Sequence, residues 1–306
     1  MRSLPLDEIQ DLVQGSVRTN VSGASITTFS IGGPLDLLVE PGDPGELQAL
    51  LKLFKETNQK FSVIGFGSNL LIPDSGIRGW VIRLGKGFRY HRWLEHGHVT
   101  VGGAMSLMTL CRDSARQGLS GLEFAGGIPA SLAGAVRMNA GAHGSDLAGI
   151  VEAVRIVDPG HGRLELSKRE LEFGYRKSNL PPDSVLYEVD LKLVSSNPSD
   201  VQQALVKNLD YRRATQPLTH ASAGSVFKNP ESVNMSAGAV IESLGLKGKT
   251  IGGAQISDLH ANWIISPKKK ASSQDVLALI ELCRKSAREQ LSVELEPEIR
   301  VCGDQA

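Results

Sequence analysis

The sequence predicts an α+β protein of two or three domains, on three observations. The chain has 306 residues, and one domain typically takes roughly 100–200 residues. Strand-like runs alternate with helices early in the chain and dominate its middle part. The polar segment SSNPSD at 195–200 contains a proline and is predicted to be a linker.

Residues 1–84 are predicted to form one small α/β unit. It begins with a short helix over 6–14 and a polar loop to about residue 30. A second helix is predicted over 43–58, because apolar residues recur there at helical spacing: Leu47, Leu50, Leu51 and Phe54. Strands are predicted at 35–41, 61–64 and 79–84.

Residues 85–198 are predicted to form a second unit with a mostly antiparallel sheet. Four runs have strand character: HVTVGG, VEAVRIVD, RLELS and VLYEVDLKLV. A helix near 104–117 places Leu107, Leu110 and Cys111 on one face, and Gly118 is suited to end it.

Residues 199–306 are predicted to form the third unit, with the return of the last strand and tail to the first unit as the alternative. Its helices are expected at 200–213, 237–244 and 272–291, and its strands at 261–266 and over the closing ELEPEIRVCG. Ser272 and Asp275 resemble a capping box at the start of the longest helix. The apolar face of that helix is Val276, Leu279, Ile280, Cys283 and Ala287.

The composition argues against several classes of protein. Lys and Arg number 33 and Asp and Glu number 33, so the net charge is zero, unlike that of most nucleic-acid-binding domains. No apolar run is long enough to span a membrane, and the acidic N-terminal segment lacks the apolar core of a secretory signal. Three cysteines without a CxxC motif favour a reducing cytoplasm. We expect no metal, because the histidines near residues 91–98 lack ligand spacing.

The first glycine-rich segment is VIGFGSNL at 63–70. It is not a dinucleotide fingerprint, because Leu70 replaces the third glycine and a strand, rather than a helix, is predicted to follow. Gly65 and Gly67 allow consecutive N–H groups to converge on a phosphate, and Ser68 and Asn69 add side-chain donors. A tight turn between two strands is the alternative.

The second glycine-rich segment, GLEFAGGIPASLAGAVRMNAGAHG at 121–144, predicts a helix of small residues. Pro129 is expected in its first turn, and its N-terminus is expected to offer free N–H groups to an anion. Tight helix packing is the alternative reason for the small residues. Two such segments indicate one large phosphate-bearing cofactor shared between them.

The first segment in the longer form IGFGSNLLIPDSGIRG (64–79), the second segment and five others resemble the UDP-N-acetylenolpyruvoylglucosamine reductase family, in the family's order. The other five are TTFSIGGP (27–34), FGYRKS (173–178), QPLTHASAGSVFKNP (216–230), LKGKTIGGAQISDLHANWIIS (246–266) and LEPEIRVCG (295–303). The chain departs from the family at Ala130 and Ala133, which replace glycines, and in HANWIIS, where the family usually has HANFIIN. The absence of an insertion in the last unit matches the family's shorter structural type.

The resemblance implies an FAD-binding fold of two α/β subdomains, similar to that of vanillyl-alcohol oxidase, and a third, α+β substrate-binding domain. It implies FAD as cofactor and NADPH as co-substrate, in a cytoplasmic enzyme of peptidoglycan synthesis with roles in cell shape and division, and the enzyme is expected to be a monomer. The FAD contacts that it implies are Ile64, Gly65, Phe66, Gly67, Ser68, Asn69, Leu70, Gly126, Gly127, Ile128, Pro129, Ser131, Gly134 and Asn139.

The family's reaction reduces the enolpyruvyl ether of UDP-N-acetylglucosamine to a lactyl ether. The resemblance implies that Arg176 binds the substrate carboxylate and that Ser225 donates the proton to C2. An ordinary surface arginine and a turn serine are the alternatives without the resemblance. No GxSxG motif surrounds Ser225, which disfavours a covalent hydrolase.

Glu298 is the third residue implied in catalysis, as a hydrogen-bond donor or proton relay. It is expected to share one face of a strand with Arg300, and Glu296 is its rival. Tyr175, Lys228 and Asn229 are the implied substrate contacts. Two other functions stay open: another FAD-dependent sugar or alcohol oxidoreductase, and a UDP-sugar-binding module without catalysis.

Overall fold

The computed structural model describes residues 6–302. Residues 1–5 and 303–306 lie outside that range, and with them the start of the N-terminal segment and the last residue of the predicted closing strand. The helices are α1 (Leu6–Leu12), α2 (Pro44–Glu56), α3 (Leu107–Arg116), α4 (Leu132–Arg137), α5 (Pro198–Thr215), α6 (Ala237–Ser243) and α7 (Ser273–Leu291).

The strands from β1 to β10 are β1 (Ser16–Ser22), β2 (Pro34–Glu40), β3 (Phe61–Val63), β4 (Leu70–Leu71), β5 (Ile77–Ile82), β6 (His91–Trp93), β7 (His98–Gly102), β8 (Leu119–Ser120), β9 (Gly141–Ala142) and β10 (Ser145–Asp146). The remaining strands are β11 (Val151–Asp158), β12 (Gly162–Ser167), β13 (Phe173–Gly174), β14 (Lys177–Ser178), β15 (Val185–Lys192), β16 (Val194–Ser195), β17 (Ala221–Ser225), β18 (Thr250–Ile251), β19 (Ala254–Ile256), β20 (Trp263–Ser266) and β21 (Arg300–Val301).

The chain divides into two compact units. The first contains residues up to 19, 37–65 and 79–211, and the second contains 20–36, 66–78 and the residues from 212 onward. In the first unit a five-stranded sheet has the order β12-β11-β15-β7-β6, and every pair of neighbours is antiparallel. The predicted antiparallel sheet of the middle segment is therefore confirmed.

A second sheet has the order β1-β2-β5-β3, in which β3 and β5 are parallel. Helix α2 is confirmed: Asp43 caps its N-terminus, and the four apolar residues predicted for its buried face are fully buried. The polar loop predicted up to residue 30 is wrong, because Ser16–Ser22 is a strand at the edge of this sheet. An edge strand obtains its pairing from backbone hydrogen bonds and tolerates exposed polar side chains, so apolar alternation did not reveal it.

The second unit is built on the sheet β17-β20-β19-β18. Its core includes the predicted apolar face of α7, and the predicted capping box of Ser272 and Asp275 is present. The predicted closing strand is wrong for most of its length, because only β21 pairs, in parallel, with β4. Pro297 has no N–H to donate to a ladder, and it makes one isolated bridge to Phe227.

Helix α5 begins in the first unit, where Val201, Leu205 and Leu209 pack into the core that contains α3. The boundary between the two units lies within the same helix, and the second unit resumes at Arg212. The three-part division with a boundary at 198 stays a proposal about subdomains. Within it, the beginning of α5 packs with the middle subdomain.

Candidate active site

The first glycine-rich segment is a loop between β3 and β4, and no helix follows it. This confirms that the segment lacks the strand–helix context of a dinucleotide fingerprint. Gly67 has a φ of +67°, and a Cβ added there would lie 2.3 Å from the carbonyl oxygen of Ile26. Glycine is therefore required at this position for both conformation and space.

Five consecutive backbone N–H groups of this loop, from Gly65 to Asn69, donate to no atom of residues 6–302. The preceding residue, Ile64, is buried, and its N–H bonds the carbonyl of Ile82 at 2.9 Å. A row of unpaired N–H groups attracts an anion without needing a helix. The loop therefore fits the pyrophosphate of a dinucleotide cofactor.

The second glycine-rich segment differs from its prediction at the helix start. Helix α4 begins at Leu132 with Ser131 as N-cap, so Pro129 lies before the helix and not in its first turn. The N–H groups of Leu132 and Ala133 bond the carbonyls of Met105 and Gly103, each at 2.9 Å, and the Ser131 hydroxyl takes the N–H of Gly134. The predicted free N-terminus is wrong, because tertiary partners have taken its donors.

The two glycine-rich segments meet at Gly65 and Ser131, both in the first unit. A Cβ on Gly65 would lie 2.4 Å from the Ser131 hydroxyl oxygen. A Cβ on Gly126 would similarly lie 2.2 Å from a methyl group of Leu205. These glycines permit close packing of chain segments, which for the second segment was the alternative to a cofactor contact. Their role toward a cofactor stays a prediction.

The turn that carries Arg176 joins β13 to β14. Arg176 has a φ of +58°, a left-handed conformation that costs a non-glycine residue roughly 1–2 kcal/mol. Its guanidinium donates to the carbonyl of Gly141 at 3.0 Å and lies 4.9 Å from the ring centre of Tyr175. Such strain accumulates at functional sites, where the position of a side chain matters more than its cost.

The side chain of Asn139 is hydrogen-bonded to this hairpin. Its side chain is buried and donates to the Asp146 carboxylate and to the carbonyl of Gly174, both at 3.1 Å. The same amide accepts the N–H of Ala148 at 3.0 Å. Both amide hydrogens are thus used within the protein, and the predicted contact of Asn139 with FAD stays a prediction.

In the second unit, Ser225 ends β17 directly after an irregularity in the ladder. The pairing with β20 shifts register between Ser222 and Ser225, and the intervening Gly224 has a φ of +77°. A bulge of this kind bends a strand and changes the direction of the next side chain. It therefore sets the orientation of Ser225 independently of the regular alternation of β17.

Glu298 is tied to the same region of the second unit. Its N–H donates to the carbonyl of Val226, the neighbour of Ser225, at 2.7 Å. Its own carbonyl accepts the side-chain amide of Asn69 at 3.0 Å. The structure thus brings Ser225 and Glu298 to one connected backbone network. Glu298 is not on a strand, so the strand predicted to carry both Glu298 and Arg300 is wrong at Glu298.

The rival, Glu296, has a different partner. Its carboxylate is exposed and lies 2.5 Å from the Lys228 amine, while its carbonyl accepts the Lys228 N–H at 2.9 Å. Asn229 accepts the N–H of Ala237 at the start of α6 at 3.0 Å. The predicted substrate contacts Lys228 and Asn229 thus both take part in hydrogen bonds within the protein.

Arg212 is a candidate that sequence reasoning missed. It is 9% exposed, and its buried Nε has no partner in residues 6–302. Burial lowers the pKa of this guanidinium, and no acid among residues 6–302 counters the effect. Gln216, four residues on, also has a buried oxygen without a partner in that range. A buried charge without an opposite charge is costly, which indicates an anionic ligand. Only its burial distinguishes Arg212 from the neighbouring Arg213.

The described residues contain no group of three or more histidine, cysteine or acidic side chains able to hold a metal ion. Among the helices of this range, none combines the length and the apolar character that crossing a membrane requires.

Comparison with known proteins gives two family matches within the chain. The model of the UDP-N-acetylenolpyruvoylglucosamine reductase C-terminal domain matches residues 216–302. That of an FAD-binding domain matches residues 34–166. The glycine-rich segments therefore lie in the part that resembles FAD-binding domains, and Ser225 and Glu298 lie in the other part.

Full-length relatives agree with these matches. The UDP-N-acetylenolpyruvoylglucosamine reductase of Halalkalibacterium halodurans is 43% identical over 98% of this chain and 98% of its own length. That of Bacillus subtilis is 42% identical over 97% of this chain and 98% of its own. A crystal structure of the reductase from Thermus caldophilus matches with a TM-score of 0.78 at 37% identity, covering 94% of this chain and 99% of that one.

Proposed function

The chain belongs to the UDP-N-acetylenolpyruvoylglucosamine reductases, and from this membership we propose how its own residues carry out the family's reaction. It is an FAD-dependent oxidoreductase with the FAD-binding, α+β fold that the sequence predicted. NADPH is the reductant, and the product is UDP-N-acetylmuramate, a precursor of peptidoglycan. The observation that carries this function is 43% identity along 98% of the chain.

The chemistry that bound FAD supplies is hydride transfer, from NADPH to the flavin and then to C3 of the enolpyruvyl group. We assign the binding of its pyrophosphate to the unpaired N–H groups from Gly65 to Asn69. The remaining predicted contacts are kept as proposals: Ile64, Leu70, Gly126, Gly127, Ile128, Pro129, Ser131, Gly134 and Asn139.

Arg176 is assigned to the substrate carboxylate. Addition of hydride at C3 leaves negative charge spread over C2 and this carboxylate. A guanidinium forms two parallel hydrogen bonds with a carboxylate and stays charged at neutral pH. The left-handed backbone of Arg176 and its contact with Tyr175 hold the side chain in one direction. This preorganisation stabilises the charge as it develops.

Ser225 is assigned as the proton donor to C2, and Glu298 as the hydrogen-bond donor or proton relay beside it. A free hydroxyl is a weak acid, so it needs neighbouring donors that stabilise the alkoxide it leaves. Glu298 is held close along the backbone by its N–H bond to Val226. Lys228, Asn229 and Tyr175 are proposed to contact the nucleotide sugar. Cytoplasmic location, a monomeric state and roles in cell shape and division also belong to this proposal.

The first test is spectroscopic. Under anaerobic conditions we expect NADPH to bleach the flavin absorbance of the purified protein and the enolpyruvyl nucleotide sugar to restore it stoichiometrically. Recovery only with oxygen, and none with the sugar, would favour a sugar or alcohol oxidase. A protein that never binds flavin would point to a binding module without catalysis.

A second prediction concerns Arg212→Met. Without ligands the variant is expected to be as stable as the wild type or more stable, by up to about 4 kcal/mol, because methionine has no charge to desolvate. Binding of the nucleotide sugar or of FAD is expected to stabilise it less than it stabilises the wild type. Thermal unfolding with and without each ligand measures both effects, and Lys207→Met on the exposed side of α5 is the control. A ligand-free variant clearly less stable than the wild type would contradict the idea.

A further inference from the structure

The buried side chain of Asn262 bonds both backbone polar groups of one residue. Its amide nitrogen donates to the carbonyl of Phe227 at 2.8 Å, and its amide oxygen accepts the Phe227 N–H at 2.9 Å. Asn262 is 5% exposed, so water does not compete for these bonds. A side chain that both donates to and accepts from one residue fixes that residue as a neighbouring strand would.

All four backbone polar groups of Val226 and Phe227 have hydrogen-bond partners. The N–H of Val226 donates to the backbone carbonyl of Asn262 at 2.9 Å, and its carbonyl accepts the N–H of Glu298 at 2.7 Å. The segment thus has Asn262 on one side and Glu298 on the other. It follows Ser225 directly, so its position sets that of Ser225 relative to the backbone of Glu298.

His260 is hydrogen-bonded to Asn262 and to Trp263 and so helps to fix the position of Asn262. Its Nδ1 accepts the N–H of Asn262 at 3.2 Å, and its carbonyl accepts the N–H of Trp263 at 3.0 Å. Trp263 in turn lies opposite Ser225 in the ladder between β17 and β20. The HAN motif at 260–262 thereby holds both the strand opposite Ser225 and the segment that follows Ser225.

We propose that Asn262 is a positioning residue for proton transfer, which acts by fixing the Val226–Phe227 segment between Ser225 and Glu298. The proposal rests on the proposed function, in which Ser225 donates the proton. Asn262 itself touches no reacting atom. Its effect is confined to the half-reaction that includes proton transfer, and the reduction of flavin by NADPH does not depend on it.

Asn262→Asp separates this role from simple packing. The two side chains have nearly the same shape, but an ionised aspartate only accepts hydrogen bonds. The ionised aspartate still accepts the hydrogen bond from the Phe227 N–H. Its second oxygen replaces the amide nitrogen and repels the Phe227 carbonyl oxygen. The segment must therefore shift, and a shift of about 1 Å in a reacting group costs roughly 100-fold in rate.

Stopped-flow measurement of the two half-reactions tests the proposal. We expect Asn262→Asp to change flavin reduction by NADPH less than about twofold and to slow flavin reoxidation by the nucleotide sugar about 10- to 100-fold. The solvent deuterium isotope effect on reoxidation is expected to rise. In the Ser225→Ala background the same change is expected to have little further effect, because coupled residues are not additive.

Asn208→Asp is the matched control. Asn208 is a half-buried asparagine of α5 whose amide donates to the carbonyl of Glu123 at 3.0 Å. It has no bond to the segment after Ser225, so neither half-reaction is expected to slow. If Asn262→Asp does not fold, His260→Ala takes its place, with slower reoxidation and unchanged flavin reduction as the expected result.

Two results would overturn the proposal. One is equal slowing of both half-reactions, which is the sign of general disruption. The other is a full additional loss when Asn262→Asp is added to Ser225→Ala. Failure of the proposed function is seen separately, because the wild-type protein would then not be reoxidised by the nucleotide sugar at all.

Discussion

Ser225→Ala is expected to slow turnover of the enolpyruvyl nucleotide sugar by about 10²- to 10⁴-fold, the usual contribution of a positioned general acid. Reduction of the flavin by NADPH is expected to stay within about twofold of the wild-type rate. The first half-reaction moves a hydride and needs no proton at C2 of the substrate. The second leaves a carbanion-like C2 that alanine cannot protonate.

Single-turnover absorbance measurements separate the two halves. Ser222→Ala provides a matched control on the same strand, because its hydroxyl lies before the bulge at Gly224. We expect wild-type rates from the control in both halves. Unchanged overall turnover in Ser225→Ala would remove the serine from the mechanism, whatever the status of Glu298.

The bulge explains why the sequence indicated Ser225 as a candidate but not the backbone geometry around it. The motif AGSVFKNP identified the serine through its resemblance to a family. A register shift depends on the opposite strand, β20, and on the positive φ of Gly224, neither of which follows from local alternation. The support from Asn262 likewise comes from a distant part of the sequence.

Helix α7 shows what the sequence predicts well. Its capping box and its apolar face are properties of one continuous segment, so the local sequence alone indicated them. Helix α4 shows the opposite case. Its sequence correctly indicated a helix of small residues, but the carbonyls of Gly103 and Met105 take its first N–H groups. A prediction from local sequence therefore assigned those donors to an anion.

Glu298 was found through the motif PEIR, and its backbone was predicted wrongly. The alternation of Glu298 and Arg300 suggested a strand, whereas Pro297 limits pairing to an isolated bridge before it. Arg212 was missed because burial of a charged side chain leaves no mark in its own segment. Both cases concern tertiary partners, which decide the chemistry of a side chain more than its immediate neighbours do.

Arg176 allows the catalytic and the structural contributions of one residue to be separated by two substitutions. Arg176→Lys keeps a positive charge but loses the planar fork that binds a carboxylate through two hydrogen bonds. Loss of one preorganised group of this kind costs about 2.7–4 kcal/mol of transition-state stabilisation. We therefore expect kcat/KM for the nucleotide sugar to fall by about 10²- to 10³-fold.

Arg176→Gly is expected to lower kcat/KM at least as far while leaving the protein as stable as the wild type or more stable. Glycine adopts a φ of +58° without the roughly 1–2 kcal/mol that arginine loses there. This gain offsets the loss of the hydrogen bond to Gly141 and of the contact with the Tyr175 ring. Chemical denaturation with steady-state kinetics measures both effects. Lys269→Gly is the control, because Lys269 has a φ of +52° and its replacement is expected to stabilise the fold without loss of activity. Full activity in Arg176→Lys, or a clear loss of stability in Arg176→Gly, would show that the strained turn does not serve the carboxylate.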